Sequence, residues 1–287
     1  MILRFFDSLR AKPQGAVTKA VALAIVASGA SAAFAQTKPE EVKAEEVSPF
    51  SGKASLNLRS STTSSSDYDY RVFFNAGVNL EYKLSPDYTV GLSVRGNKDL
   101  NNEQRGTLTD TTLSLSRNFE LAEGLGLGID AAYSAPVSKD LIKYSNSKGV
   151  VSGSAGLSYR FAGVLNGLAL NAGLSYERYL YQYEYANGGQ ILTKFAWNQS
   201  YGASYTYDLA TLSVSFTNVS TWDFDGEQEN DSYLWVETLQ YKLNHLWAVQ
   251  AGHINDGNTY DYLGASNNVR FYDKRRSQVF VGTTYSF

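Results

Sequence analysis

An alternation of apolar and polar residues with a period of two limits most strongly what this chain can fold into. Between residues 68 and 84, one face carries Tyr68, Tyr70, Val72, Phe74, Ala76, Val78, Leu80, Tyr82 and Leu84, and the other carries Arg71, Asn75, Gly77, Asn79, Glu81 and Lys83. Successive side chains of a β-strand point to opposite faces, so this pattern predicts a strand. The turn sequence Ser85-Pro86-Asp87 follows, and a second alternating segment begins at Tyr88.

The same alternation predicts twelve strands along the chain. They fall at about 51–61, 68–84, 87–97, 107–119, 124–135, 149–162, 166–181, 191–207, 210–224, 232–243, 246–256 and 271–287. Short turns alternate with longer connections rich in Ser, Asn, Asp and Gly. An even number of strands with short turns at one rim and long loops at the other is typical of an antiparallel transmembrane β-barrel, closed and all-β. Ten or fourteen strands are the alternatives, if one hairpin has been split or merged.

The aromatic residues support a barrel in a membrane because they sort by height. At the short-turn ends the apolar face carries Tyr82, Tyr88, Phe119, Tyr159, Phe161, Tyr205, Tyr207, Tyr241, Trp247, Tyr285 and Phe287. At the long-loop ends it carries Tyr68, Tyr70, Tyr133, Tyr176, Phe195, Trp197, Trp222, Phe224, Tyr233 and Trp235. Two aromatic belts around an aliphatic band match the two interfaces of a bilayer, whereas a soluble β-sandwich has no reason to show them.

The N-terminal residues predict export. Arg4, Arg10, Lys12 and Lys19 precede an apolar run over residues 20–30, and Ala33-Phe34-Ala35 provides a small-residue cleavage site. We therefore interpret residues 1–35 as a cleaved signal peptide, residues 36–50 as a flexible periplasmic tether and residues 51–287 as the barrel. Removal of residues 1–35 takes away four basic residues and one acidic residue, which leaves 21 basic and 27 acidic residues. This acidic balance is no signature of nucleic-acid binding.

The chain contains no cysteine, which excludes disulfides, thiolate zinc sites and thiol nucleophiles. The two histidines are predicted at very different heights, and no calcium-loop pattern occurs. We therefore expect neither a metal nor another cofactor.

The last predicted strand closes the barrel by pairing with the first, because an open edge would leave backbone groups unsatisfied in hydrocarbon. Its end, Gly282-x-x-Tyr285-x-Phe287, resembles the C-terminal signal by which outer-membrane proteins of Gram-negative bacteria are recognised for assembly. Phe280 stands where that signal usually has a polar residue. The resemblance implies an outer-membrane protein with both termini in the periplasm. It also implies two kinds of partner, the barrel-assembly machinery and the lipids of that membrane, including lipopolysaccharide.

The residues predicted to face inward suggest a conduit. The charged ones are Lys53, Arg59, Arg71, Glu81, Lys83, Arg95, Asp110, Asp130, Arg160, Glu177, Lys194, Asp223, Lys242, Lys274 and Arg276, which is ten basic against five acidic residues. Such an excess favours anions in a water-filled pore. The candidates for selectivity are Arg71, Arg95, Arg160, Lys194 and Arg276, together with Glu81 and Asp130. The alternative is that these charges pair with one another and fill a narrow barrel.

In size and strand count the chain resembles the small twelve-stranded monomeric porins, some of which pass acidic oligosaccharides. The resemblance implies passive diffusion of small polar or anionic solutes and no enzymatic activity. The loop over residues 257–270 is the best candidate to fold inward. A structural or adhesive barrel with a filled lumen is the first alternative.

An outer-membrane lipid hydrolase is the second alternative. Glu237 and His253 break the apolar pattern of the outward face, and antiparallel pairing would place them opposite each other. A carboxylate that faces lipid is costly unless it is paired. Ser277 would share that face at a similar height, which makes a conceivable nucleophile, base and orienting carboxylate. Outer-membrane phospholipases and lipid A deacylases carry a serine two residues after the histidine, whereas Asn255 stands there in this chain.

Overall fold

The computed structural model of the chain describes residues 48–63, 70–101, 106–108, 111–260 and 266–287. The predicted signal peptide and residues 36–47 of the predicted tether lie outside the described residues. The strands are β1 Phe50–Ser61, β2 Val72–Lys83, β3 Tyr88–Asp99, β4 Gly106–Leu108, β5 Thr111–Ala122, β6 Leu125–Ala135, β7 Ser147–Arg160, β8 Leu168–Tyr181, β9 Thr193–Tyr207, β10 Ala210–Asp223, β11 Ser232–Lys242, β12 Trp247–Asn258 and β13 Gln278–Ser286. One helix, α1 Lys139–Ser145, lies between β6 and β7, and a short 3-10 turn, Gly163–Leu165, lies between β7 and β8.

All strands belong to one antiparallel sheet that closes on itself. Neighbours in the wall are neighbours in the chain, and β13 pairs with β1 to complete the ring. The short β4 and the longer β5 both pair with β3, so they occupy one position in the wall. The result is the predicted closed barrel of twelve strands. Because the ring is closed, the backbone groups at the edges of its long strands are hydrogen-bonded to a neighbouring strand. A sheet surrounded by hydrocarbon requires such pairing.

The two rims differ as the sequence predicts. Connections over residues 84–87, 123–124, 161–167, 208–209 and 243–246 lie at one rim, which we call the short-turn rim. Both Phe50 and Phe287 lie there, and Phe287 exchanges two backbone hydrogen bonds with Gly52. The other rim, the long-loop rim, carries the remaining connections, whose described residues are 62–63, 70–71, 100–101, 136–146, 182–192, 224–231, 259–260 and 266–277.

The outward face carries a band of exposed aliphatic side chains between aromatic clusters. Leu113, Leu157 and Leu239 are each about half exposed, at 54%, 48% and 55%. At the short-turn rim Trp247 packs on Tyr285 with ring centres 4.8 Å apart, and at the long-loop rim Phe195 stacks on Trp222 at 5.0 Å. A continuous apolar band of this kind is expected where lipid covers the wall.

Two predicted strand boundaries are wrong. The second strand begins at Val72 rather than at residue 68, and the last begins at Gln278 rather than at residue 271. The segment before β13 is held in a turn by Asp273, whose carboxylate accepts the backbone N–H of Arg275 and whose carbonyl accepts that of Ser277. Local hydrogen bonds of this type compete with strand pairing, which explains why the last strand begins later than predicted.

Candidate pore lining

Small side chains line six consecutive strands of the barrel interior. The inward residues of β5–β10 include Thr112, Ser114, Ser116, Gly126, Gly128, Ala132, Ser152, Ser154, Gly156, Ser158, Gly173, Ser175, Ser200, Gly202, Ser204, Ser213, Ser215 and Thr217. None of these residues is buried, although all face the enclosed side of the wall. The same strands also turn larger residues inward, among them Arg160, Glu177 and Tyr179, and Ala196 beside Glu177 is fully buried. A small barrel is filled when large side chains project inward, so this wall leaves room in the lumen.

Polar groups on this wall are hydrogen-bonded to one another across strands. The Asn198 amide donates to the Ser175 hydroxyl at 3.0 Å and to the Glu177 carboxylate at 2.9 Å. The Tyr179 hydroxyl donates to the other Glu177 oxygen at 3.0 Å. These contacts hold the carboxylate and the amide in fixed positions on the inner surface, where polar groups are also accessible to water.

The opposite wall is packed. Val236, Ile254 and Phe280 form a cluster on β11, β12 and β13, with exposures of 5%, 3% and 3%. The Phe280 ring occupies the space that a Cβ on Gly252 would need. Phe280, which stands where the assembly signal usually has a polar residue, faces inward because it completes this cluster. The lumen is therefore bounded by an accessible wall on one side and a packed wall on the other.

Four of the predicted selectivity residues lie on inward positions of strands. Arg95 is paired with Gly77 on β2, and Asp130 lies between Ser116 and Ser154 on the accessible wall. Glu81 and Arg160 also face inward, close to the short-turn rim.

The other three selectivity candidates lie at the long-loop rim. Lys194 is the second residue of β9, and its Nζ lies 5.8 Å from the centre of the Phe224 ring. Arg71 and Arg276 were predicted on strands, but both lie in connections, just before β2 and β13. The Arg276 guanidinium occupies the space beside Gly257 at the end of β12.

The inward charge is balanced within the described strands. Basic inward residues are Lys53, Arg59, Lys83, Arg95, Arg160 and Lys242, and acidic ones are Glu81, Asp99, Glu120, Asp130, Glu177 and Asp256. Lys148, Lys194 and Asp223 are excluded because bulges interrupt the alternation there. Six residues of each sign replace the predicted ten against five, so the predicted basic excess is wrong for these strands. Arg71, Lys274 and Arg276 leave the set because they are not on strands, and Asp110 lies outside the described residues.

Sequence reasoning missed an arginine on the outward face. Arg117 lies between the rings of Tyr88 and Phe119, with its guanidinium carbon 4.8 and 4.5 Å from their centres, and it lies 3.8 Å from the Asp87 carboxylate. It is part of the aromatic belt at the short-turn rim. The signal was available, since Arg117 takes an apolar position in the alternation Leu113, Leu115, Phe119.

The predicted pairing of Glu237 with His253 is confirmed. The two residues are direct partners on β11 and β12, and the His253 Nδ1 lies 3.8 Å from the Glu237 carboxylate. The Trp235 indole N–H donates to the same carboxylate at 3.0 Å. A lipid-facing carboxylate is thus held by two neighbours on its own face of the wall.

The third member of the conceivable hydrolase set has other partners. Ser277 is fully buried, and its hydroxyl donates to the Asn255 side-chain oxygen at 3.2 Å while it accepts the backbone N–H of Asp273 at 2.9 Å. A serine nucleophile needs its hydroxyl on the catalytic base and an open path to the substrate. The geometry of Ser277 fits a structural link between β12 and the turn before β13.

The connection before β13 packs on the outside of the barrel. Phe271 contacts Trp235 with ring centres 4.8 Å apart, and Tyr272 lies on His253 at 5.9 Å. The Arg270 backbone N–H donates to the Tyr233 hydroxyl at 3.2 Å. We call residues 270–277 the outer strap. The expectation that the loop over residues 257–270 folds inward is not met at its C-terminal end, and residues 261–265 lie outside the described residues.

No helix in the described part of the chain is long and apolar enough to cross a membrane. Over the same residues, no group of three or more His, Asp or Glu side chains is arranged to hold a metal ion.

Comparison with known proteins shows that the chain resembles solved structures in fold. No family model matches the chain, and no curated protein matches it in sequence. Among solved structures, the NanC porin superposes with a TM-score of 0.51 at 11% identity, over 80% of this chain and 99% of the porin. The KdgM porin in complex with oligogalacturonate gives 0.46 at 10% identity, over 82% and 99%. The anion-selective porin from Comamonas acidovorans gives 0.40 at 13% identity, over 83% and 98%.

The fold and the two rims define the class at the level of architecture: a closed, twelve-stranded antiparallel β-barrel with short turns at one rim and longer connections at the other. The expected likeness to small twelve-stranded porins is shown at the level of fold by the NanC porin.

Proposed function

We propose that the chain is a porin-like channel through which small polar solutes, anions among them, diffuse passively across the outer membrane. The observation that carries the proposal is the accessible wall, where six neighbouring strands present small polar side chains to the lumen. A barrel built to be filled would place large side chains there. The NanC barrel, whose fold this chain shares, is itself a porin.

Selectivity in this channel is expected to be weak. The inward charges are evenly divided between the two signs, and they are spread around the wall rather than gathered into a ring of one sign. Rings of one sign are what give a pore strong preference for the opposite ion. Arg95 and Asp130 are the best candidates for the residual preference, because both lie on strand interiors away from the rims.

No enzymatic step is part of this proposal. The Ser277 hydroxyl is engaged by Asn255 and Asp273, and it is buried away from any substrate. A carboxylate on the lipid face needs polar neighbours, and His253 and the Trp235 indole N–H provide them for Glu237.

Export and assembly complete the proposal. Residues 1–35 would direct export, both termini would lie in the periplasm, and the barrel-assembly machinery would recognise the last strand through Gly282, Tyr285 and Phe287. The placement of Phe287 supports this role: its ring covers Gly52 and lies 6.2 Å from the Phe50 ring and 5.8 Å from Tyr285. Its surroundings would include the lipids and lipopolysaccharide of that membrane, with no nucleic acid.

Single-channel conductance of the refolded protein in a planar bilayer tests the proposal. The informative variant is Ser154→Trp, which places a large ring on the accessible wall beside Asp130. Its matched control is Ala155→Trp, one residue along the same strand and on the lipid face. We expect openings in the parent protein, a decrease of at least about twofold for Ser154→Trp because the ring fills part of the lumen, and little change for the control.

A folded parent protein that stays silent in the bilayer would contradict the channel and favour the structural or adhesive barrel with a filled lumen. Equal conductance in the two tryptophan variants would show that the accessible wall does not line the path.

A further inference from the structure

The outer strap gathers positive charge on the lipid side of the barrel. Residues 270–277 include four basic residues and one acidic residue, in a chain whose formal net charge is −3. Lys274, Arg275 and Arg276 are exposed, and no ion pair among the described residues engages Lys274 or Arg275. Arg270 is the exception, with its guanidinium 3.9 Å from the Asp273 carboxylate.

The strap is fixed to the outer surface by a buried polar link. Asn255 and Ser277 are both fully buried, and they bond to each other through the serine hydroxyl. The Asn255 amide also donates to the Tyr233 hydroxyl at 3.1 Å and to the Arg270 carbonyl. On the side of β1, the Thr62 hydroxyl donates to the carbonyls of Lys274 and Ser277. The basic side chains therefore project from a backbone that is anchored at both ends.

Exposed aromatic rings lie beside these charges. Phe271 is 65% exposed and Tyr272 is 58% exposed, although each packs one side on a residue of the wall. Phe271 lies next to Trp235, which belongs to the aromatic belt of the long-loop rim, and Tyr272 lies on His253. Aromatic residues at this height occupy the boundary between acyl chains and headgroups, so the basic side chains of the strap lie at headgroup level.

We propose that the outer strap binds the phosphorylated headgroup of a lipid in the outer leaflet. In barrels of this class the longer loops face the exterior, so this rim meets the outer leaflet. Lys274 and Arg275 would contact phosphate, and Phe271 and Tyr272 would contact the upper acyl chains. The Glu237 and His253 side chains lie below the strap and form a polar patch on the lipid face. This patch suits a headgroup that extends deeper than a simple phosphodiester.

Binding of lipid A to the refolded protein, followed by native mass spectrometry, tests this proposal. The probes are bisphosphorylated lipid A and the same lipid after removal of both phosphates. The variant is Lys274→Gln with Arg275→Gln, and the matched control is Lys143→Gln with Lys148→Gln, which removes two exposed basic residues from the same rim beside β7. Each basic residue near an anionic lipid surface contributes about 1 kcal/mol, so loss of two weakens binding roughly thirty-fold.

We expect that decrease for the strap variant with bisphosphorylated lipid A, and unchanged binding for the control. Three results would overturn the proposal: equal binding of the dephosphorylated lipid, an equal decrease in the control, or displacement of the lipid by millimolar inorganic phosphate, which would indicate a site for soluble anions. Single-channel conductance of the strap variant is expected to equal that of the parent protein. The lipid site and the channel can therefore fail independently.

Discussion

Replacement of Phe280 by alanine is the most informative perturbation of the packed wall. The ring is 3% exposed, it contacts Val236 and Ile254, and it covers Gly252. Truncation removes about 120 Å² of apolar surface that the ring buries on folding. At about 25 cal/mol/Å² this loss corresponds to about 3 kcal/mol of unfolding free energy. A cavity term adds to this value because β11 and β12 are held by their neighbours and cannot collapse onto the gap, so we expect a total loss of about 3–5 kcal/mol.

Equilibrium unfolding in denaturant, with the barrel refolded into phosphatidylcholine vesicles, measures that loss. A double-mutant cycle tests whether the Phe280 and Ile254 side chains interact. Phe280→Ala combined with Ile254→Ala should show a coupling free energy of about 0.5–3 kcal/mol, because the two side chains share one cluster. Phe280→Ala combined with Leu239→Ala should be additive within about 0.5 kcal/mol, because Leu239 lies on the lipid face.

Conductance provides the second readout for the same variant. Phe280 is on the wall opposite the accessible one, so the variant should conduct at least as well as the parent protein. A loss of stability below about 1.5 kcal/mol, or full additivity with Ile254→Ala, would show that the interior cluster is not a packed core. In that case the division of the lumen into two unlike walls would be wrong.

Two further predictions concern single side chains. Ser277→Ala leaves two buried hydrogen-bond partners unsatisfied, so it should lower the unfolding free energy by about 1–3 kcal/mol in denaturant titrations. We expect no phospholipid hydrolysis by the parent protein or by the variant. Hydrolysis by the parent protein that disappears in the variant would restore the hydrolase alternative. Asp130→Asn should move the reversal potential in a salt gradient towards anion preference, and Arg95→Gln should move it towards cation preference. The control Arg117→Gln, on the outward face, should leave the reversal potential unchanged. Shifts of the same sign for Asp130→Asn and Arg95→Gln would show that the charges of Asp130 and Arg95 do not act on the permeating ions.

The architecture was predictable because the membrane imposes simple rules on the sequence. The wall must alternate, so Leu80 and Tyr82 fall on one face and Asn79 and Glu81 on the other. The strands must also begin and end at two interfaces, where aromatic residues such as Trp247 and Tyr285 gather. These rules hold for every strand independently, so errors at one strand do not spread to the next.

The pore lining was less predictable than the fold, because the residues that face the lumen depend on where each strand begins and ends. Residues 271–277 show no alternation of apolar and polar side chains, because four charged residues follow one another from Asp273 to Arg276. Extending the last strand back to residue 271 placed Arg276 in the lumen without a pattern to support it. The turn around Asp273, through its own hydrogen bonds, delays the start of the strand to Gln278.

Side-chain packing inside the barrel also lies beyond the alternation. Phe280 was visible as an exception, but its reason is tertiary: Val236 and Ile254 come from strands that are adjacent to β13 only after closure. The charge balance of the lumen depends in part on Asp99 and Glu120, because β3 and β5 extend beyond their predicted ends at residues 97 and 119.

The seam between β1 and β13 has a kinetic consequence. Its nine residue pairs, from Lys53 with Ser286 to Ser61 with Gln278, join segments more than 200 residues apart, whereas every other pairing in the wall joins chain neighbours. Closing a loop of about 220 residues costs about 5 kcal/mol in chain entropy, and no pair of the seam forms before β13 has arrived. Until then β1 and β12 each present an open edge that is a template for another chain. Hairpins can therefore form in any order, but ring closure is a single late event, and the time spent before it sets the exposure of the chain to aggregation.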